Sequence, residues 1–171
     1  MNKKQYLLVI ALLLLALAGR LLPHPPNFTP LLAVALFGGA MLPGHLAFSL
    51  PLLAMAGSDL LLGYSFSETS IAVYASFLAI VVAGRWLSRS RTLGRTVTAV
   101  LGGSALFYLV TNFAVWLGGA HGGMYEHSAM GLLECYAAAL PFFRNALAGD
   151  LIWTGVLFGI FDFAARRLQP E

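Results

Sequence analysis

Charge is scarce in this chain. Only 10% of its residues are Asp, Glu, Lys or Arg, whereas a soluble domain carries roughly 25%. That scarcity excludes a surface facing water on all sides. Cysteine is scarcer still: Cys135 stands alone, which excludes an intrachain disulfide, an iron–sulfur cluster and the Cys-rich zinc sites. There is no H-E-x-x-H, G-x-S-x-G, P-loop or G-x-G-x-x-G, so a zinc protease, an intramembrane hydrolase or a nucleotide-driven pump has no motif to rest on. Internal repeats and low-complexity tracts are also absent. The net charge is +3, but no basic patch on a soluble domain accompanies it, and nucleic acid is not an expected partner.

What is present is apolar sequence, 59% of the chain. Runs of about 17–25 apolar residues are candidate membrane spans, and they place spans at about 5–22, 29–43, 45–62, 70–87, 96–117 and 143–165. The first run follows Lys3 and Lys4 and contains Ala16-Leu17-Ala18, a pattern that also fits a cleaved signal sequence. Its continuation through Leu21 and Leu22 favours a retained span. In "PHPPNFTP", residues 23–30, the prolines impose an extended segment. The second run covers about 18 Å of a core about 30 Å thick, so it either borrows from its flanks or stops short inside the protein. Pro51 should kink the third run. Residues 132–168 would make a helix about 55 Å long, and Pro141 is the natural break. The expectation is a short re-entrant or interfacial helix at about 131–140, followed by the sixth span.

Basic residues orient the chain. Lys3, Lys4, Arg85, Arg89, Arg91, Arg95, Arg166 and Arg167 fall on one side of this six-span arrangement, and only Arg20 and Arg144 on the other. The excess marks the cytoplasmic side. The expected fold is therefore an all-α integral membrane protein, a single membrane domain over 1–171, with six transmembrane helices and both termini cytoplasmic. The segments 23–30, 63–69 and 118–143 then face outward, and 118–142 would form an outer lid.

A charged side chain at the centre of a span costs about 2.5–3.5 kcal/mol and normally faces a cavity or a partner. Asp59 lies near the outer end of the third span and Asp150 less than two turns into the sixth. Asn112 and Trp116, four apart on the fifth, share a face at the same end. Each has a plainer reading: a helix-end carboxylate reaching water, an interhelical hydrogen bond, an interfacial aromatic. Their common depth on three spans supports an outward pocket instead, with Arg144 as counter-charge and Asn145 beside it. In "HGGMYEHSAMGLLECYAAALPFFRN", residues 121–145, Tyr125 and Tyr136 offer stacking faces. His121, His127 and Cys135 are side chains suited to a late transition metal in a substrate, although Cys135 also fits as a small packing residue. With Glu126 and Glu134 these groups have ligand types that zinc accepts, but their spacing matches no compact motif, and neither a resident metal nor a cofactor is expected. Asp162 and Arg166 make an i,i+4 pair. Gly155 and Gly159, like Ala35 and Gly39, are spaced for close helix packing.

A chain of this size with six spans and polar residues at their outer ends resembles a substrate-binding S component of energy-coupling-factor (ECF) vitamin transporters. The strings "PPNFTPLLAVALFGGA", "SDLLLG", "TNFAVWL" and "CYAAALPFFRN" resemble an uncharacterised bacterial six-span family associated with that superfamily. Its solitary cobalamin-type members are the nearest. The resemblance implies a protein of the bacterial cytoplasmic (inner) membrane that binds a vitamin-like small organic solute from the outer side for uptake. It also implies an energising module (a coupling membrane protein with ATPases) as partner, and a corrinoid as one candidate solute. On this resemblance Asp59 and Arg144 correspond to an outer-half aspartate and a late arginine of the cobalamin binders. Two features depart from the pattern: no cysteine follows Asp59 closely, and Ala11, Ala16 and Ala18 do not give the Ala-x-x-x-Ala docking spacing. The alternatives are a structural or assembly protein of the cell envelope without a small-molecule substrate, and a membrane enzyme with His127 or His121 as base. An enzyme is not expected, since no nucleophile or metal stands beside a base.

Overall fold

The run LLAVALFGGAM has no polar side to turn toward water. In the computed structural model of the protein, which describes residues 3–118 and 124–167, this run lies at the centre of a set of six helices. These are α1 (Lys3–Leu21), α2 (Leu31–Met41), α3 (Gly44–Leu62), α4 (Glu68–Arg89), α5 (Leu93–Gly118) and α6 (Ala129–Arg167). The last four are long and apolar enough to cross a membrane, and α1 and α2 are shorter apolar helices. The chain is an all-α, multi-pass membrane protein.

At 1.5 Å per residue α2 is only about 16 Å long. Of the two outcomes its length allowed, it stops short inside the protein, with residues 31–39 all buried. A helix that ends internally exposes unpaired carbonyls at its C-terminus. Here the Leu42 N–H donates to the Gly38 carbonyl at 2.9 Å, and Arg85 Nη1 donates to the Leu42 carbonyl at 2.9 Å. That cation also sits at the negative end of the helix dipole. α2 packs most extensively on α4, and the crossing point is Gly39 against Gly84, where backbone meets backbone. The Ala35/Gly39 expectation of close approach holds at Gly39.

α1 packs on α3, burying Leu12 and Ala16, and its last turn carries Arg20. α3 continues through the buried Pro51 and ends at Gly63, whose φ of 72° is the left-handed cap that glycine adopts without steric cost. Its C-terminal carbonyls are thereby satisfied, the Asp59 carbonyl accepting from Tyr64 N–H at 2.9 Å. Ser67 and Ser70 form a reciprocal capping box at the start of α4, and Glu68 in the first turn complements the helix dipole.

Three sequence expectations are corrected here. No re-entrant or interfacial helix precedes a separate last span: residues 129–167 form one helix that runs through Pro141. Proline removes one backbone bond, but inside a membrane bundle neighbouring helices compensate for it. The segment before Pro141 is held along α5 by Tyr108 Oη, which donates to the Tyr136 carbonyl at 2.6 Å, and by Tyr136 Oη, which donates to the Leu109 carbonyl at 2.8 Å. Residues 129–142 of the expected lid are therefore helix.

Asp162 makes its ion pair with Arg91, in the α4–α5 connection, rather than with Arg166. That carboxylate raises the Arg91 guanidinium above its ordinary value. The third correction concerns Gly155 and Gly159, which are exposed with nothing within 4 Å of where a Cβ would stand, so this G-x-x-x-G packs against no helix among the described residues.

Candidate functional site

A cavity of about 640 Å³ opens at the end of the bundle that carries the 22–30 and 63–67 connections. The opposite end carries the α4–α5 connection and the C-terminal part of α6, joined by the Arg91–Asp162 pair. Every helix contributes to the wall: Arg20 from α1, Leu31 and Leu32 from α2, Met55 and Asp59 from α3, Tyr74 and Phe77 from α4. Ser104, Phe107, Tyr108, Thr111 and Asn112 come from α5, and Phe142, Phe143 and Asp150 from α6. His24, Asn27 and Thr29 of the proline-rich connection complete the rim.

Two polar centres stand on this wall. At the first, Arg20 Nη2 donates to Asp59 Oδ1 at 2.7 Å and Tyr74 Oη donates to Oδ2 at 3.0 Å. Arg20 Nη1 also meets the Met55 sulfur. The Arg20 and Asp59 side chains are 14% and 20% exposed, so the pair sits partly within reach of whatever enters the cavity. Its position follows from the local chain: Gly63 turns the chain one turn after Asp59, and Arg20 is the one charge of α1 near that end. At the second centre Ser104 Oγ donates to Asp150 Oδ2 at 2.6 Å. Asp150 is 6% exposed, and among the described residues no cation is paired with it.

Aromatic rings line the same cavity. Phe77 and Phe107 pack at 5.2 Å between centroids, and Tyr108 and Phe143 at 4.6 Å. On α5, Asn112 Nδ2 donates to the Tyr108 carbonyl and Thr111 Oγ1 to the Phe107 carbonyl of the same helix, whereas the Ser104 and Tyr108 hydroxyls cross to α6.

Of the residues picked from sequence, Asp59, Asn112 and Asp150 meet at this cavity, from three different helices. The others lie elsewhere. Trp116 Nε1 donates to the Glu126 carbonyl at 3.1 Å and its ring stacks on His127 at 4.4 Å, pinning the 124–128 connection to the end of α5. Tyr125 is half-buried in that connection and does not line the cavity. Cys135 is buried with Sγ against the Asn112 carbonyl at 3.4 Å, and Tyr136 packs on Tyr108. Arg144 is exposed and Asn145 half-buried, both off the cavity wall, and the cation on Asp59 is Arg20. His121 lies outside the described residues. Among the described residues, no three His, Cys, Asp or Glu side chains converge as a metal site would require.

The sequence reading passed over Arg20, His24, Tyr74, Ser104 and Tyr108 as wall residues. One signal was available: Ser104, Tyr108 and Asn112 recur at i, i+4, i+8, the spacing of a single polar face along an otherwise apolar helix. Compared with known proteins, the chain matches over residues 1–171 the profile of DUF6580, a family of unknown function, and it belongs to that family. No curated protein and no solved structure matches it.

Proposed function

We propose that this cavity is the substrate site of a membrane transport protein that binds a vitamin-like small organic solute from the outer side for uptake, as an ECF S component does. The observation that carries the reading is the meeting of Asp59, Asn112 and Asp150 with an aromatic wall around about 640 Å³. Ligand pockets run from about 300 to 1,000 Å³ and combine an apolar lining with a few placed polar groups. Energy would come from a separate coupling protein with its ATPases in the bacterial inner membrane. Cobalt ligation by Cys135 gains no support, because its sulfur is turned into α5 and off the cavity wall. The envelope-scaffold alternative draws on one observation, that Arg20, Asp59 and Tyr74 satisfy one another without a ligand.

The test is the purified protein itself. A small organic solute should copurify in detergent and be identified by mass spectrometry after denaturation, and cells expressing the protein with its coupling partners should accumulate that solute. A preparation devoid of any such solute, with no uptake by those cells, would favour the scaffold.

Orientation is part of the same proposal. The cavity end should be outside and the end bearing Arg91 and Arg166 cytoplasmic. On a Cys135→Ser background, an impermeant thiol reagent added from outside should label a cysteine placed at Ser128 and spare one at Ser90. The reverse pattern would put the cavity on the cytoplasmic side and end the uptake reading.

A further inference from the structure

The charges on the cavity wall do not balance. Arg20 and Asp59 neutralise each other, and the remaining carboxylate, Asp150, is held among the described residues only by a hydroxyl. Ser104 occupies Oδ2, and among the described residues no donor is bonded to Oδ1. A buried carboxylate is expensive to ionise unless a cation and hydrogen-bond donors accompany it. Phe107, Tyr108 and Phe143 line the same cavity. Aromatic faces attract cations, most strongly when water is excluded.

From this pairing of an uncompensated carboxylate with aromatic faces, we infer that the solute carries a protonated amine or amidine, with Asp150 as its counter-ion and hydrogen-bond acceptor. The inference rests on the proposed uptake site and names the chemical class of its ligand. A cationic N–H group supplies both things Asp150 lacks, a positive charge and a donor for Oδ1. A quaternary ammonium would supply only the charge, and an anionic solute would add a second unpaired charge to a site of low polarity. Thr111 and one N–H of Asn112 are turned to their own helix, and neither side chain carries a charge, so Asp150 is the group that separates a cation from a neutral solute.

Three probes of matched shape separate the possibilities: 2-phenylethylammonium, 2-phenylethanol and 3-phenylpropionate, titrated calorimetrically into the full-length detergent-solubilised protein. The ammonium should bind at least about tenfold more tightly than the alcohol, with the carboxylate weakest. Asp150→Asn keeps the shape and the Ser104 bond. It should weaken the ammonium by roughly thirtyfold or more and the alcohol far less, and wild-type size-exclusion and thermal-unfolding profiles show that the variant is folded. Asp150→Glu should keep the preference for the ammonium. Equal binding of alcohol and ammonium, a preference that survives Asp150→Asn, or no binding of any probe at millimolar concentration would each overturn the inference. If the copurified solute then proves neutral or anionic, the uptake reading stands without it. If no solute copurifies and no uptake is seen either, both fall.

Discussion

Replacing Gly84 with leucine should leave little folded protein. A Cβ at this position would stand 2.3 Å from the Leu36 carbonyl oxygen and 2.9 Å from the Gly39 Cα. The mirror contact is equally tight, with a Cβ on Gly39 falling 2.4 Å from the Val81 carbonyl. These are backbone atoms of α2 and α4, which cannot rotate aside as a flexible side chain can, so the two helices would have to separate. Because α2 is buried along residues 31–39, that separation would open the centre of the bundle. Overpacking costs about 1–3 kcal/mol, occasionally more, when only side chains must move, and Gly84→Ala should already reach the top of that range. Gly102, on the same bundle, has nothing within 4 Å, and Gly102→Ala should be neutral or gain up to about 1 kcal/mol of helix propensity. Size-exclusion profiles and thermal unfolding in detergent would compare the three variants. If Gly84→Ala melts with the wild type, α2 and α4 do not cross at this point.

That crossing was partly legible in sequence. Twelve apolar residues ending at Pro43-Gly44 are too few to span a bilayer, which already allowed a helix ending inside the protein, and Ala35 with Gly39 signalled a close neighbour. Nothing in the sequence named Gly84 as that neighbour. Gly155 and Gly159 show the same spacing, yet they are exposed. Local spacing states what a helix face permits and not whether a partner arrives. Pro141 was misread for a related reason. Proline breaks a helix reliably in water, but along α6 the two Tyr–carbonyl bonds to α5 hold the preceding turns in place, and those depend on tertiary contacts that a single run of sequence does not display.

The site divides along the same line. Depth along a helix can be counted, and it brought Asp59, Asn112 and Asp150 to one cavity. The direction in which a side chain points cannot be counted as easily. Cys135 and Asn112 lie at one level, but the thiol is packed against the α5 backbone. Long-range charge pairing was least legible of all. Asp59 chose Arg20, thirty-nine residues back in the chain, and Asp162 chose Arg91, seventy-one residues away. Both choices are set by how helices cross, and neither follows from the i,i+4 rule.

The Arg20–Asp59 pair allows stability and transport to be separated. Asp59→Ala would strand a largely buried guanidinium and remove the acceptor of the Tyr74 hydroxyl. Losing one partner of a buried pair costs about 3–5 kcal/mol, and the lower end is expected here because both side chains retain some exposure. Arg20→Ala should cost a similar amount by stranding the carboxylate. Replacing both, as Arg20→Met with Asp59→Leu, removes the stranded charge, and exchange of a buried pair for apolar residues of similar volume is often neutral or stabilising. Thermal unfolding of the double variant should therefore return most of the way to the wild-type value, falling short by the about 1 kcal/mol that the Tyr74 hydroxyl loses with its acceptor. Uptake should not return with it, because a methionine and a leucine would turn this polar wall apolar. A double variant that is stable and still transports would assign the pair to architecture alone and leave recognition to Asp150. If the singles transport normally as well, Asp59 contributes nothing to the site, and the placing of three polar residues at one depth reflects helix packing.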